Sequence, residues 1–125
     1  MAEVVKQCPD AHLIMVGPFA DDATEQQLRQ LRDSLDLSDA VSFVGAQDNV
    51  LPYLQKASVY LHTSLYEGYG IALAEAKTVG IPSVIYALPY LTLVQDESVI
   101  QVGQGNRSGK DRHLLFVVCG RTPKR

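Results

Sequence analysis

Short apolar runs alternate with helix-forming segments along most of the chain. Runs of the length and composition of buried strands lie at residues 13–16, 41–45, 59–64 and 82–86. Segments of helical periodicity separate them, and strands that alternate with helices are typical of βαβ units with parallel pairing. The pattern therefore predicts an α/β fold built on a doubly wound parallel sheet.

The helical segments are predicted from their periodicity and their breaking residues. Residues 2–8 are expected to end a helix at Pro9, and a short helix is expected after Asp48, with Pro52 in its first turn. The helix after the first strand has Thr24 as a candidate cap. The leucines expected to pack on the sheet are Leu28, Leu31 and Leu35. The charged residues expected to face solvent are Arg29, Arg32 and Asp33.

The most informative stretch is residues 66–85, which follows the third predicted strand. Gly68 and Gly70 flank a tyrosine, a run of good helix formers comes next, and Gly80 and Pro82 end that helix before the fourth strand. The loop that holds the two glycines thus joins the carboxyl end of a strand to the amino end of a helix. In an open parallel sheet, ligands bind at this edge.

The residues of this loop and of the helix after it indicate the kind of ligand. Gly68 and Gly70 allow the backbone to approach a bound group closely, and the first N–H groups of the helix attract a phosphate. Glu67 and Glu75 would repel a bare phosphate but would accept hydrogen bonds from hydroxyl groups beside it. Hydroxyls on both sides of a phosphate group are the chemistry of a nucleotide sugar.

These residues carry a resemblance to a known family. The pair Glu67 and Glu75, with the glycines between them, resembles the signature of group 1 retaining glycosyltransferases. Residues 9–17 are similar to the second strand of the family's C-terminal, donor-binding domain, and residues 41–45 are similar to the strand after it. The resemblance therefore covers about residues 1–95. It implies a Rossmann-like domain, the C-terminal half of the two-domain architecture called GT-B.

The resemblance also implies roles for individual residues. Glu67 would contact the hydroxyls of the transferred sugar and is the candidate catalytic residue, Glu75 would bind the ribose hydroxyls, and Gln47 would lie near the base. Backbone N–H groups would hold the sugar and diphosphate, at Gly68, Tyr69, Gly70 and Ile71. An isolated glutamate near a helix start more often serves the helix dipole. The paired spacing and the glycines favour the binding role for the two glutamates, but they add nothing for Gln47.

Cofactors and histidine chemistry receive little support from the sequence. The chain contains no Asp-x-Asp triplet that would hold a divalent ion against a diphosphate, so no metal and no cofactor are expected beyond the donor substrate. His62 lies on a predicted strand, where a core histidine is the more common interpretation. His12 and His113 have no sequence partners that would make a triad or a ligand set.

Composition limits the partners and the compartment. The chain has 125 residues, 46% of them hydrophobic, which indicates one domain and is short for a complete two-domain transferase. A net charge of -3 does not favour nucleic acid, and no apolar run is long enough to span a membrane. With no recognisable signal peptide and no disulfide framework from Cys8 and Cys119, a cytoplasmic location is expected.

The chain divides into two predicted regions. Residues 1–102 are the donor-binding domain without the family's first strand or the cationic pair that this strand carries, and residues 103–125 are an atypical tail, flexible or truncated. Within that tail, residues 114–118 have the composition of a strand, although the family would have helices there. The missing strand predicts an open central edge, exposed Val4 and Val5, and self-association. Without the acceptor domain, the chain alone is expected not to transfer sugar.

A second class of function stays open at the level of sequence. A doubly wound domain also occurs as a non-enzymatic binding module, receiver-like or flavodoxin-like. A receiver needs acidic residues at a strand end, and Asp21 and Asp22 are the only such pair, several residues beyond the first strand. The main hypothesis is sugar transfer from a nucleoside diphosphate sugar to a carbohydrate or lipid-linked acceptor. Residues 87–94 resemble family members that assemble polysaccharides.

Overall fold

The computed structural model of the chain describes residues 1–63, 70–86, 98–102 and 115–119. The described helices are α1 Ala2–Gln7, α2 Asp22–Ser34, α3 Leu51–Lys56 and α4 Ile71–Val79. The described strands are β1 His12–Val16, β2 Val41–Gly45, β3 Val59–His62, β4 Ser83–Tyr86, β5 Val99–Val102 and β6 Leu115–Cys119.

The strands form one sheet in the order β2-β1-β6-β3-β4-β5. β1 pairs in parallel with β2, β3 with β4, and β4 with β5. All four strands predicted from apolar runs are present, so the α/β fold with parallel strands is confirmed. β5 was not predicted, although its residues form a largely β-branched run between polar segments.

β6 lies in the middle of the sheet and runs antiparallel to both of its neighbours. Val117 is opposite Ile14 of β1 on one side and Tyr60 of β3 on the other. Residues 114–118, whose composition predicted a strand, thus largely coincide with β6, although they belong to the segment predicted as an atypical tail. The prediction of an open central edge was wrong, because β6 pairs with the strands on which that edge was expected.

Two apolar clusters cover the two faces of the sheet. One contains Tyr60, Leu54 from α3, and Leu73 from α4, and the other is built around Leu13 and Val41 with Val5 of α1 packed against it. Because side chains alternate along β1, its residues serve both clusters in turn. Helices therefore pack on both faces, as a doubly wound sheet requires, and Val5 is less exposed than expected, whereas Val4 is exposed.

α2 packs on the sheet through a different face from the one predicted. The guanidinium carbon of Arg29 lies 5.4 Å from the ring centre of Phe43, and that of Arg32 lies 5.7 Å from the same ring. Leu31 and Leu35 are 54% and 46% exposed. The prediction for these leucines and arginines was wrong, because arginine covers an aromatic ring with its stem and its planar charged group together.

The residue that caps α2 also differs from the prediction. The Asp21 side chain accepts a hydrogen bond of 2.7 Å from the Thr24 N–H, so Asp21 is the cap and Thr24 lies in the first turn. This hydrogen bond from the backbone of Thr24 lowers the pKa of the Asp21 carboxyl below its usual value. The acidic residue that a receiver would need near β1 is thus used to start a helix.

Candidate functional site

The amino end of α4 has the backbone geometry that its glycines predict. Gly70 immediately precedes the helix with a φ of 65°, in the left-handed region that glycine adopts without strain. Gly70 has no side chain to cap the helix, and among the described residues no acceptor faces the Ile71 N–H. N–H groups of a first helical turn suit an anion. α4 then continues for nine residues and ends at Gly80.

A cavity of about 350 Å³ lies between α4 and the loop that follows β2. Its lining combines three polar or acidic residues near β2 and α3, two apolar residues beside them and two residues of α4; they are Gln47, Asp48, Asn49, Val50, Leu51, Glu75 and Thr78. The fold thus brings Gln47 and Glu75, which are far apart in the sequence, to the wall of one cavity. Glu75 is half-buried there.

Hydrogen bonds fix the loop that forms one wall of this cavity. The Gln47 Nε2 donates to the Val44 carbonyl oxygen at 2.9 Å, and the Tyr53 hydroxyl donates to the Gln47 Oε1 at 3.2 Å. Asn49 Oδ1 accepts a hydrogen bond of 3.1 Å from the Leu51 N–H at the start of α3. These hydrogen bonds connect the loop to the end of β2 and to the first turn of α3.

The charge of the lining indicates what the cavity accepts. Among its described residues, Asp48 and Glu75 are acidic and none is basic. Carboxylates accept hydrogen bonds from hydroxyl and N–H groups and repel phosphate. The amino end of α4 has the opposite preference, since the helix dipole is positive there. A ligand with a hydroxyl-bearing part and a phosphate part matches the two regions together.

The residues predicted for the site fall into two groups. Gly70 and Ile71 lie at the amino end of α4, with the Ile71 side chain 66% exposed, while Gln47 and Glu75 line the cavity. Glu67, Gly68 and Tyr69 lie outside the described residues. Their roles, like those of the other predicted site residues, stay predictions.

Three polar lining residues were not predicted from the sequence. Asp48 and Asn49 follow Gln47 directly in the sequence. Thr78 lies three residues after Glu75, so the two are neighbours on one face of α4. Helical spacing from Glu75 could have indicated Thr78. Asp48 and Asn49 had been interpreted only as the start of a helix.

The two described histidines, His12 and His62, form hydrogen bonds within the fold. His62 is buried, with its Nδ1 2.7 Å from the Tyr60 hydroxyl, which agrees with a core position. The His12 Nδ1 donates to the Asp39 carbonyl oxygen at 2.9 Å, and its Nε2 lies 2.8 Å from the Ser42 hydroxyl. These contacts join the start of β1 to the start of β2. His113 lies outside the described residues.

The described part of the chain lacks two kinds of feature. No three histidine, cysteine, aspartate or glutamate residues in it are grouped so that they could hold a metal ion. None of its helices has the length and apolar character needed to span a membrane.

Comparison with known proteins adds the family. The family model described as "Glycosyl transferases group 1" matches residues 1–98. The chain is 36% identical over 75 residues to N-acetyl-alpha-D-glucosaminyl L-malate synthase of Bacillus anthracis, which is 60% of this chain and 19% of that protein. It is 30% identical over 121 residues to the lipopolysaccharide core biosynthesis glycosyltransferase LpsE of Rhizobium meliloti (strain 1021). That alignment spans 95% of this chain and 35% of LpsE.

The fold has a counterpart among solved structures. The crystal structure of Anabaena Alr3699/HepE in complex with UDP superposes with a TM-score of 0.71 at 24% sequence identity. The superposition covers 83% of this chain and 30% of the Anabaena chain. This chain therefore spans about a third or less of the length of each protein compared with it here.

Proposed function

Since the chain belongs to the group 1 glycosyl transferases, we propose that it binds the nucleoside diphosphate sugar from which a sugar is transferred, with retention of configuration. Membership of this family favours the transferase over the receiver-like or flavodoxin-like binding module. Because the chain spans only part of its relatives, sugar transfer itself is proposed for the whole protein.

One observation carries the proposal: Gln47 and Glu75 line a single cavity, and Glu75 lies just over one turn from the amino end of α4. The acidic lining suits the nucleoside, whose ribose offers hydroxyl donors to the Glu75 carboxylate. The N–H groups at the start of α4 suit the diphosphate. Both regions would be occupied at once by a ligand in which ribose and diphosphate are adjacent.

The proposed transfer breaks the bond between the anomeric carbon and the diphosphate oxygen and forms one to an acceptor hydroxyl oxygen on the same face of the sugar. The proton of that hydroxyl passes to the departing diphosphate. Negative charge develops on the departing diphosphate, and the amino end of α4 stabilises it. Glu67 is proposed to contact the sugar hydroxyls near the reacting carbon. The positive end of the helix serves where other transferases use a metal, so no divalent ion is proposed.

The acceptor is proposed from the relatives. LpsE is named for lipopolysaccharide core biosynthesis, and a second relative, 34% identical over 87 residues, is the poly(glycerol-phosphate) alpha-glucosyltransferase of Bacillus subtilis (strain 168). We therefore propose a carbohydrate or lipid-linked acceptor of polysaccharide or glycoconjugate assembly. The cytoplasmic location stays a prediction from the sequence.

Titration calorimetry on the 125-residue chain tests the binding proposal. The ligands are diphosphate sugars of uridine, thymidine, adenosine and guanosine, each in excess chelator. At least one should bind at a single site, and more tightly than its nucleoside or inorganic pyrophosphate, because each of these fills only one region. Failure of all four to bind would overturn the proposal, and binding that required magnesium or manganese would overturn its metal-free part.

A further inference from the structure

The amide of Gln47 is held at both ends, and its orientation follows from chemistry. The Val44 carbonyl oxygen only accepts hydrogen bonds, so the amide nitrogen must face it, at 2.9 Å. The amide oxygen then faces the Tyr53 hydroxyl, 3.2 Å away, which can donate to it. An amide turned by 180° would place two acceptors against each other at Val44.

Tyr53 brings its hydroxyl to this position from an anchored element. Leu54, the next residue of α3, is fully buried, and Tyr53 itself packs against the same apolar cluster. Val44 packs against that cluster as well. Val44 and Tyr53, the two residues that bond to the Gln47 amide, are therefore anchored in the same apolar cluster.

A glutamine amide has two N–H donors and two acceptor lone pairs. The contacts with Val44 and Tyr53 use one of each, which leaves one donor and one acceptor without a described partner on a side chain that lines the cavity. Donors and acceptors lie side by side on the edges of nucleobases, in an order that differs from base to base. An amide with a fixed orientation favours one order of donor and acceptor over the reverse order. An amide that is free to rotate by 180° can satisfy both orders.

Building on the proposed nucleotide site, we infer that Tyr53 is a positioning residue: it fixes the Gln47 amide and thereby sets which base the cavity prefers. Tyr53 acts through Gln47 and does not itself contact the ligand. Nothing in the sequence pattern singles out Tyr53, which lies on a short helix among apolar residues. Its hydroxyl, directed at an amide on the cavity wall, is the observation that does so.

The experiment compares four nucleoside diphosphates, those of uridine, cytidine, adenosine and guanosine, on the 125-residue chain. Tyr53→Phe should weaken binding of the preferred one by about 2- to 10-fold, the effect of one hydrogen bond, and should narrow the preference among the four. Ribose 5-phosphate, which has no base, should bind unchanged. In a Gln47→Ala background, Tyr53→Phe should have no further effect, because the amide that it positions is gone.

Controls separate positioning from general stability. Ser42→Ala removes a hydroxyl that bonds to His12 at the far end of β2, and it should leave the base preference as it is. If Tyr53→Phe lowers the melting temperature, Gln47→Glu supplies an independent test. A carboxylate has no donor for Val44 or for the base, so this change should alter the preference.

The outcomes distinguish this inference from the proposed function. Equal losses for all four nucleotides, an unchanged preference, or additive effects of Tyr53→Phe and Gln47→Ala would overturn the role of Tyr53 alone. A wild-type chain that binds nucleotides without any preference would do the same. A wild-type chain that binds none of the four would refute the proposed function, and the role of Tyr53 with it.

Discussion

Gly70 and Gly80 set the two ends of α4, with φ angles of 65° and 79°. Both were predicted from the sequence as breakpoints, because glycine adopts this region without the clash that a Cβ atom causes. Gly70 places the amino end of the helix, where the diphosphate is proposed to bind. Gly80 ends the helix, with its N–H bonded to the Lys77 carbonyl oxygen at 2.9 Å.

Gly80→Ala should lower the free energy of unfolding by about 1 kcal/mol, as measured by urea denaturation. A Cβ atom at this position would meet nothing within 4 Å, so the backbone conformation alone determines the cost. Gly80→Asn should cost less, since asparagine tolerates the left-handed region better. An alanine variant as stable as the wild type would contradict the left-handed end of α4.

At this scale the sequence could predict part of the site. Glu75 stood out by its spacing from Glu67, and Gln47 by resemblance to the family, and both line the cavity. Asp48 did not stand out as a site residue, because aspartate is common at the start of a helix and was interpreted in that way. Its place in the lining depends on how the loop after β2 faces α4, which is a contact between distant parts of the chain.

α2 shows what helical periodicity leaves undetermined. The spacing of Leu28, Leu31 and Leu35 defines an apolar side, but the face that meets the sheet depends on the surface below it. That surface contains Phe43 of β2, 5.4 Å from the ring centre of Phe19, and Arg29 contacts both rings. The aromatic residues lie outside the helix, so its own pattern could not indicate that arginines would pack on them.

β6 shows the same limit for strands. Its composition predicted a strand, but nothing local indicates that it lies between β1 and β3 or that it runs antiparallel to them. Pairing partners are set by tertiary contacts between distant segments. In the described sheet, β6 is the only strand that connects β2 and β1 to β3, β4 and β5.

Val117→Pro should therefore destabilise the chain more than a proline at a strand edge would. Proline removes an N–H from a strand that is paired on both sides and leaves a carbonyl acceptor unsatisfied, at a cost of about 1 to 3 kcal/mol or more. Val117→Ala keeps the N–H and serves as the matched control. Thermal unfolding that is the same for the two variants would show that β6 does not pair as described.

At the scale of the whole molecule, the described strands form one sheet that places the loop after β2 and α4 on two sides of the cavity where the ligand is proposed to bind. Alternating apolar runs and helices were sufficient to predict the α/β fold with its parallel strands, because each βαβ unit is a local pattern with a preferred handedness. They did not predict the central, antiparallel β6. The family was predicted from the resemblance of about residues 1–95 and is confirmed by the family model; the sheet alone could not indicate it, since many unrelated functions share such a sheet. The cavity required the folded structure, since its walls come from segments that no local pattern connects.

The central claim is that the cavity binds a nucleoside diphosphate through the ribose hydroxyls at Glu75. It is tested by titrating wild type and Glu75→Ala with the preferred nucleoside diphosphate and with its 2′-deoxy form. Glu3→Ala is the control, because Glu3 pairs with Lys6 on the exposed surface of α1.

Loss of a carboxylate acceptor should raise the dissociation constant of the ribonucleotide by about 5- to 150-fold in Glu75→Ala and leave it unchanged in Glu3→Ala. The wild type should discriminate against the 2′-deoxy form, and Glu75→Ala should bind the two forms about equally. Unchanged ribonucleotide affinity in Glu75→Ala, with discrimination against the 2′-deoxy form intact, would contradict the account.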